Sequence, residues 1–458
     1  DSDTFDCDDV GVNSVVLTVT DNSGNTCTSA ALVTVLDPDN FCDNAPQGLV
    51  VEGDVKTIQG EIVEGTTVSL EGMVNLTTTV ASSGLYAFPS VPLFSNATIL
   101  PYNNSNLLQG ITTLDVLMIQ NHILNVNILT SPYDLIAADV DHSESISGND
   151  IINLQKLILG ETDVFNNNTS FRFVDSNYEF LDITDPFITN FPETADFTNL
   201  SEGVTQDFVG IKVGDVNGSF VNQPDDEGPT ELNIQTRSTH SLSLESNKTR
   251  SIGGFVEIPV YSENFEALQA LEMSIISEKR IVDVLSGSID LNKSEFRTSQ
   301  FGRKLKISWV NPSVIDVKSG DLLFTLVVKS DENLVPADVI TLSPSVNEFY
   351  TDKYEIAELR FSNETNVLQQ AKAVLYQNAP NPWSNETMIS FEMVQDGDYM
   401  LSFFDMDGKL LTQLTGYASK GYNEVQVYKS EIGMQSGVIV YEFTSGNRKL
   451  VKCMVMME

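Results

Sequence analysis

Asp139-Val140-Asp141-His142-Ser143-Glu144-Ser145-Ile146-Ser147-Gly148-Asn149-Asp150 is the stretch that decides how this chain is read. Oxygen-bearing side chains stand at positions 1, 3, 5 and 12 of a twelve-residue loop. Ser145 at position 7 can offer its backbone carbonyl, and Ser147 at position 9 can act through water. Ca²⁺ takes roughly 6–8 hard oxygens at about 2.3–2.6 Å, and this spacing wraps such a set around one ion. Helical periodicity follows, with Ile151, Leu154, Leu157 and Ile158 on one face and Gly160 as a fitting stop. The competing reading is an Asp- and Ser-rich turn that caps a helix. It accounts for Asp150 as an acid in a first helical turn, but not for the spaced set before it.

The helix is one of a pair. The run Ile111-Thr-Thr-Leu-Asp115-Val-Leu-Met-Ile-Gln120 recurs 35 residues later as Ile146-Ser-Gly-Asn-Asp150-Ile-Ile-Asn-Leu-Gln155. Two copies make a paired motif, not a solenoid. The first copy lacks a loop of its own, because Asn104, Asn106 and Leu108 upstream are a poor ligand set. Far downstream, Asp215-Val216-Asn217-Gly218-Ser219 has the oxygen side chains of positions 1, 3 and 5. One half-loop lacks its beginning and the other its end, so a split second site is expected. Asp215, Asn217 and Ser219 would meet Asp115, with the Gly110 or Thr112 backbone nearby. The competing reading of 215–219 is a surface turn. A separation of Asp215 from Asp115 beyond about 10 Å would exclude the split site.

Outward from the helices the periodicity is that of strands. Residues 12–20 and 30–36 alternate on either side of a turn at 21–25, and a linker follows at 37–45. Short strands separated by glycine turns run through 48–55, 68–73, 77–80, 86–88 and 97–100. Residues 161–230, rich in Asn, Asp, Pro and Phe, read as an ordered insertion ending in a linker at 222–230. Alternation returns over 231–365, as in 254–260 and 321–328, and a last small β unit covers 372–458.

Several stretches resemble known families. Residues 1–37 resemble the closing hairpin of an Ig-like domain of the HYR or PKD type. Residues 46–102 look like the transthyretin-like sandwich of carboxypeptidase regulatory and CnaB-type modules, through Gly53-Asp54-Val55, 64–70 and Ser83-Gly84-Leu85-Tyr86-Ala87-Phe88. The loop at 139–150 resembles a dockerin loop, which takes Asp at position 12. Its departure is Glu144 at position 6, where glycine normally makes the sharp turn. Residues 103–221 as a block are similar to dockerin-like calcium modules of large secreted Bacteroidota proteins, with 161–221 as the insertion. Residues 231–365 resemble a cohesin-like sandwich, through 256–265, Ile307-Ser308-Trp309-Val310 and 322–326. Residues 372–458 resemble the sorting domain of the type IX secretion system, through Tyr376-Gln-Asn378-Ala-Pro380-Asn381-Pro382-Trp383, Phe404-Asp405, Gly408-Lys409, Gly421-Tyr-Asn423 and Ser436-Gly437. Trp383 stands where phenylalanine is commoner. The expected fold class is therefore mainly β: tandem β-sandwich modules with one small α-helical, dockerin-like, calcium-binding module.

The composition narrows function. Against 25 Lys and Arg stand 64 Asp and Glu, a net charge of −39. Residues 1–230 hold four basic and 34 acidic side chains, a net of −30. Such a field disfavours nucleic acid and anionic lipid and attracts cations. No apolar run of 18 residues exists to span a membrane. Cys7 and Cys27 flank the first hairpin and suit a disulfide in an oxidising setting, with buried thiols as the alternative; the pairing of Cys42 and Cys453 stays open. His122 falls on the buried helix face as a packed or cap-bonded residue rather than a ligand, and no Ser-His-Asp or Cys-His set is present. The expectation is a non-catalytic extracellular protein: the C-terminal, calcium-stiffened end of a large adhesin, stalk or filament subunit, exported by type IX machinery. The alternative is the accessory tail of a secreted polysaccharide- or protein-degrading enzyme. Cohesin–dockerin-type contact within or between chains, and a homo-oligomer or filament, are implied by the resemblances.

Overall fold

The computed structural model describes residues 4–7, 11–20, 26–35, 48–222, 238–362 and 373–457, apart from positions 93, 263–264, 300, 332–333, 344, 394, 407 and 447. The turn at 21–25, the linker at 37–45 with Cys42, and nearly all of the linker at 222–230 lie outside them. The chain is mainly β: among the described residues strands make up 47% and helices 11%. It divides into two compact units, one over most of residues 1–222 and one over most of 223–458.

The first unit opens with β1 (Gly11–Thr20) and β2 (Thr26–Val35), paired antiparallel from Gly11↔Val35 to Thr20↔Thr26. Cys7, just before this hairpin, is disulfide-bonded. Next come β3 (Gly48–Lys56), β4 (Thr67–Gly72), β5 (Leu76–Thr79), β6 (Leu85–Pro92) and β7 (Ala97–Tyr102). Three helices follow, α1 (Thr113–Ile123), α2 (Pro132–Ala138) and α3 (Gly148–Leu159). The unit closes with β8 (Phe171–Asp175), β9 (Ala195–Phe197), β10 (Val204–Thr205) and β11 (Phe208–Lys212).

The boundary expected at 102/103 is crossed by both sheets. One sheet runs β10-β3-β11-β8 with β6 also on β3, and the other runs β5-β4-β7-β9. β10 and β11 pair with β3 in parallel, at Val204↔Val51 and Phe208↔Val55, which requires a long crossover; here the helices lie within it. The core between the sheets mixes Val51, Val55, Val68, Phe88 and Ile99 with Phe171, Phe173, Phe208 and Phe220. Each such side chain contributes about 1.5–3 kcal/mol when buried. The segment read as an insertion thus completes the sandwich, and in chain order the helices are what is inserted. Gly53 permits the close approach, because a Cβ there would lie 1.7 Å from the Gln206 carbonyl oxygen.

The second unit begins with a large sandwich. Its strands are β12 (Ser238–Leu244), β13 (Arg250–Ile252), β14 (Phe255–Ser262), β15 (Phe265–Ser277), β16 (Ile281–Ser286), β17 (Phe296–Thr298), β18 (Lys304–Val317), β19 (Leu322–Lys329), β20 (Ile340–Leu342), β21 (Glu348–Thr351) and β22 (Ile356–Phe361), with a short helix α4 (Pro336–Val339). The main path is β16-β19-β14-β12-β22-β21-β15-β18-β17. Leu271, Met273, Ile307, Trp309, Phe324 and Leu326 centre its core.

The terminal module has two sheets. β23 (Val374–Leu375), β24 (Glu386–Met393) and β27 (Gly421–Tyr428) form one; β25 (Gly397–Phe404), β26 (Leu410–Ala418), β28 (Gly437–Ser445) and β29 (Arg448–Met456) form the other, with α5 (Lys429–Ile432) after β27. Trp383 is buried among Ile389, Phe391, Phe403 and Tyr441. Its backbone joins the last strand, donating to the Val455 carbonyl and accepting from Met457.

Candidate metal centres

The first centre is the loop between α2 and α3. Asp139 ends α2 and Asp150 lies in the first turn of α3, so both helices fix the carboxylates. Ligand oxygens of Asp139, Asp141 and Asp150 lie within 4.8 Å of one another. Backbone N–H groups hold the first and last: Ser143 donates to Asp139 Oδ1 at 2.8 Å and Glu144 to Oδ2 at 3.1 Å. Val140 and Asp141 donate to Asp150 Oδ1 at 2.8 and 3.2 Å, and Ser147 to its Oδ2 at 2.8 Å. Ser143 Oγ donates to the Ser145 carbonyl at 3.2 Å. All six expected residues are therefore gathered in one loop.

Asp141 Oδ1 is buried and has no hydrogen-bond partner. A buried carboxylate oxygen without a partner is costly, and a hard cation would satisfy it. Burial pushes the Asp139 and Asp150 carboxyls above the usual range, and for Asp150 the charges of Asp141 and Asp139 add to this. These oxygens fit a calcium ion on charge, hardness and spacing.

The second centre joins residues a hundred positions apart. Asp115 Oδ1 accepts from Val216 N at 3.0 Å and Asn217 N at 3.3 Å, and Oδ2 accepts from Thr112 N at 2.9 Å. Asp215 Oδ1 accepts from Ser219 N at 2.9 Å, and Oδ2 from Phe220 N at 2.7 Å. Ser219 Oγ donates to the Gly110 carbonyl at 2.8 Å. These bonds repeat those of the first centre: Asp215 stands for Asp139, Asn217 for Asp141, Ser219 for Ser143, Gly110 for Ser145, Thr112 for Ser147 and Asp115 for Asp150; the difference is that Ser219 N also donates to Asn217 Oδ1 at 2.9 Å, where Asp141 Oδ1 has no partner. The proximity limit set for a split site is met. Burial raises Asp115 well above the usual range, and the neighbouring Asp215 charge raises it further. Gly110, at φ +79°, leaves no room for a Cβ, which would lie 2.9 Å from Phe220 Cα.

Three further residues complete the surroundings. Asn168 Nδ2 donates to the Asp139 and Val140 carbonyls at 3.1 and 3.2 Å. Arg172 Nη1 lies 3.6 Å from Asp139 Oδ2. Lys212 is buried, its Nζ donating to the Asn106 carbonyl at 2.7 Å, and its charge acts on Asp215. Nothing singles out Asn168 in the sequence. Arg172 and Lys212 did carry a signal: they are two of the four cations in residues 1–230. His122 Nδ1 accepts from Leu129 N at 3.1 Å, a structural bond outside both centres.

No family model matches this chain, and no curated protein does. Among solved structures it is similar to the type II cohesin dyad of the adaptor scaffoldin ScaA of Acetivibrio cellulolyticus, at 8% identity, 46% of this chain, 89% of that one and TM-score 0.19. It is similar to the Bacillus anthracis TIE protein at 8% identity, over 98% of this chain and 59% of that one, with TM-score 0.18. To BcpA, the major pilin subunit of Bacillus cereus, the figures are 9%, 90%, 95% and 0.16. Scores and identities this low carry no argument about role.

Proposed function

We propose that this chain is a non-catalytic extracellular structural or adhesion protein stiffened by calcium. One observation carries the reading: two acidic loops, one continuous and one split across the sandwich, share a single hydrogen-bond scheme around their carboxylates. Each loop offers oxygens at the positions a calcium loop uses. Asp139, Asp141, Ser143, Ser145 and Asp150 would hold the first ion, with Ser147 acting through water. Asp215, Asn217, Ser219, the Gly110 carbonyl and Asp115 would hold the second. The first has three carboxylates and the second two, so the first binds more tightly. Export by type IX machinery rests on the resemblance of 372–458. No helix among the described residues is long and apolar enough to cross a membrane.

Metal analysis tests the core of this reading. The chelator-treated protein, dialysed against Ca²⁺, is expected to retain two ions. Asp150→Asn and Asp115→Asn should each lose one. A chain that retains no calcium at millimolar concentrations overturns the reading. Mass photometry with and without EDTA addresses assembly, and a monomer in both conditions excludes calcium-dependent association. Export is tested by fusing 372–458 to a reporter in a bacterium with the type IX machinery; retention inside the cell speaks against it.

A further inference from the structure

Arg172 stands between the first metal centre and an apolar loop. It lies on β8, 7% exposed. Its Nε donates to Glu193 Oε1 at 2.6 Å, and its guanidinium carbon lies 4.7 Å from the Phe191 ring centroid. Nη1, buried, points at Asp139 Oδ2 from 3.6 Å and makes no hydrogen bond. Asp139 is fully buried and already engaged by the Ser143 and Glu144 N–H groups. A buried guanidinium with an idle donor is costly, so its placement calls for a reason. Glu193 and Phe191 close a loop that carries exposed Leu181, Ile183 and Ile188 and an aromatic cluster of Tyr178, Phe180 and Phe191.

We propose that Arg172 is a positioning residue that sets the calcium affinity of the first centre and couples its occupancy to the loop at 176–194. This rests on the calcium reading above. Arg172 and a bound cation compete for the same carboxylate. Without calcium, Asp139 draws the guanidinium toward the centre. With calcium, that carboxylate is engaged and Arg172 is left to Glu193, which tightens the loop. The positive charge so close to a ligand lowers the affinity of the centre, while Glu193 counteracts it. At the second centre a buried cation also stands nearby: Lys212, whose Nζ donates to the Asn106 carbonyl at 2.7 Å.

Calcium titration by calorimetry, combined with hydrogen exchange of the full chain, tests this. Arg172→Gln should tighten calcium binding roughly tenfold, the order of one unit charge at this range. It should also abolish the calcium-dependent slowing of exchange in 176–194 while 139–150 still responds. Glu193→Gln leaves Arg172 to Asp139 and should weaken binding several-fold; this milder change covers the case in which the arginine variant fails to fold. Arg172→Lys keeps the charge and should bind as the unaltered chain does, but without coupling. If the unaltered chain binds calcium and slows exchange in 139–150 but not in 176–194, the coupling is wrong and the calcium reading stands. If Arg172→Gln folds and binds no more tightly, the affinity role is wrong. If the unaltered chain binds no calcium, both fail.

Discussion

His142 and Glu144, positions 4 and 6 of the first loop, have φ of +56° and +59°. A non-glycine residue in this left-handed region costs roughly 1–2 kcal/mol. The second loop meets the same demand at position 4 with Gly218, at φ +65°. His142→Gly should therefore stabilise the first unit by ~1 kcal/mol, read as a higher urea midpoint in saturating calcium with an unchanged slope. An unchanged or lower midpoint would mean that the His142 contact with the Asn167 carbonyl, at 3.3 Å, outweighs the strain. The gathering of Asp139, Asp141, Ser143 and Asp150 was legible because each oxygen-bearing side chain stands at a fixed offset in one short stretch. The split half at 215–219 was legible because its offsets matched the half missing upstream of Asp115. Asn168 was not legible, since no local pattern ties it to a loop 18 to 29 positions before it; Arg172 stood out as one of four cations in residues 1–230, but nothing local placed it against a loop 22 to 33 positions before it.

Among elements, the strands read from alternation largely exist, and so do both repeat helices. What the sequence concealed is that β8 to β11 share one core with β3 to β7. Strand pairing between residues about 150 positions apart leaves no local trace, and strands as short as Val204–Thr205 carry too few residues to show a period. One residue records the pairing: Gly53, where a side chain would collide with the Gln206 carbonyl. The Gln206 N–H bonds to the Glu52 carbonyl at 2.8 Å, and its own carbonyl accepts from the Tyr86 hydroxyl at 2.6 Å. Gly53→Ala must push β10 off β3 and break this set. It should cost ~3 kcal/mol and lower the urea midpoint of the first unit. A cost below about 1 kcal/mol would show that β10 is dispensable to the sandwich and return 161–221 to the status of an insertion.

At the scale of the molecule, acidity and the proposed calcium ligands coincide. Residues 1–230 carry −30 of the net −39, and both centres lie there. Two ions would leave about −35, so most of the acidity is solvated surface. The second centre ties residues 110–115 to 215–219, so its ion would close a segment containing all three helices of the first unit and β8 to β11. A ligand that binds only the folded state adds about 2.7 kcal/mol at a hundredfold excess over Kd. For a unit of some 200 residues that raises the melting temperature by roughly 5–10 °C per centre. Among its described residues the second unit holds no group of three His, Cys, Asp or Glu like that of the first centre, and it serves as an internal control. Calorimetry of the full chain should therefore show two transitions, of which calcium raises only the one belonging to the first unit. Asp115→Asn should remove part of that rise without moving the second unit. A shift of both transitions together would mean that calcium acts by screening the acidic surface, not by closing the two loops. Sodium chloride at matched ionic strength separates the cases, because screening responds to ionic strength and ligation does not.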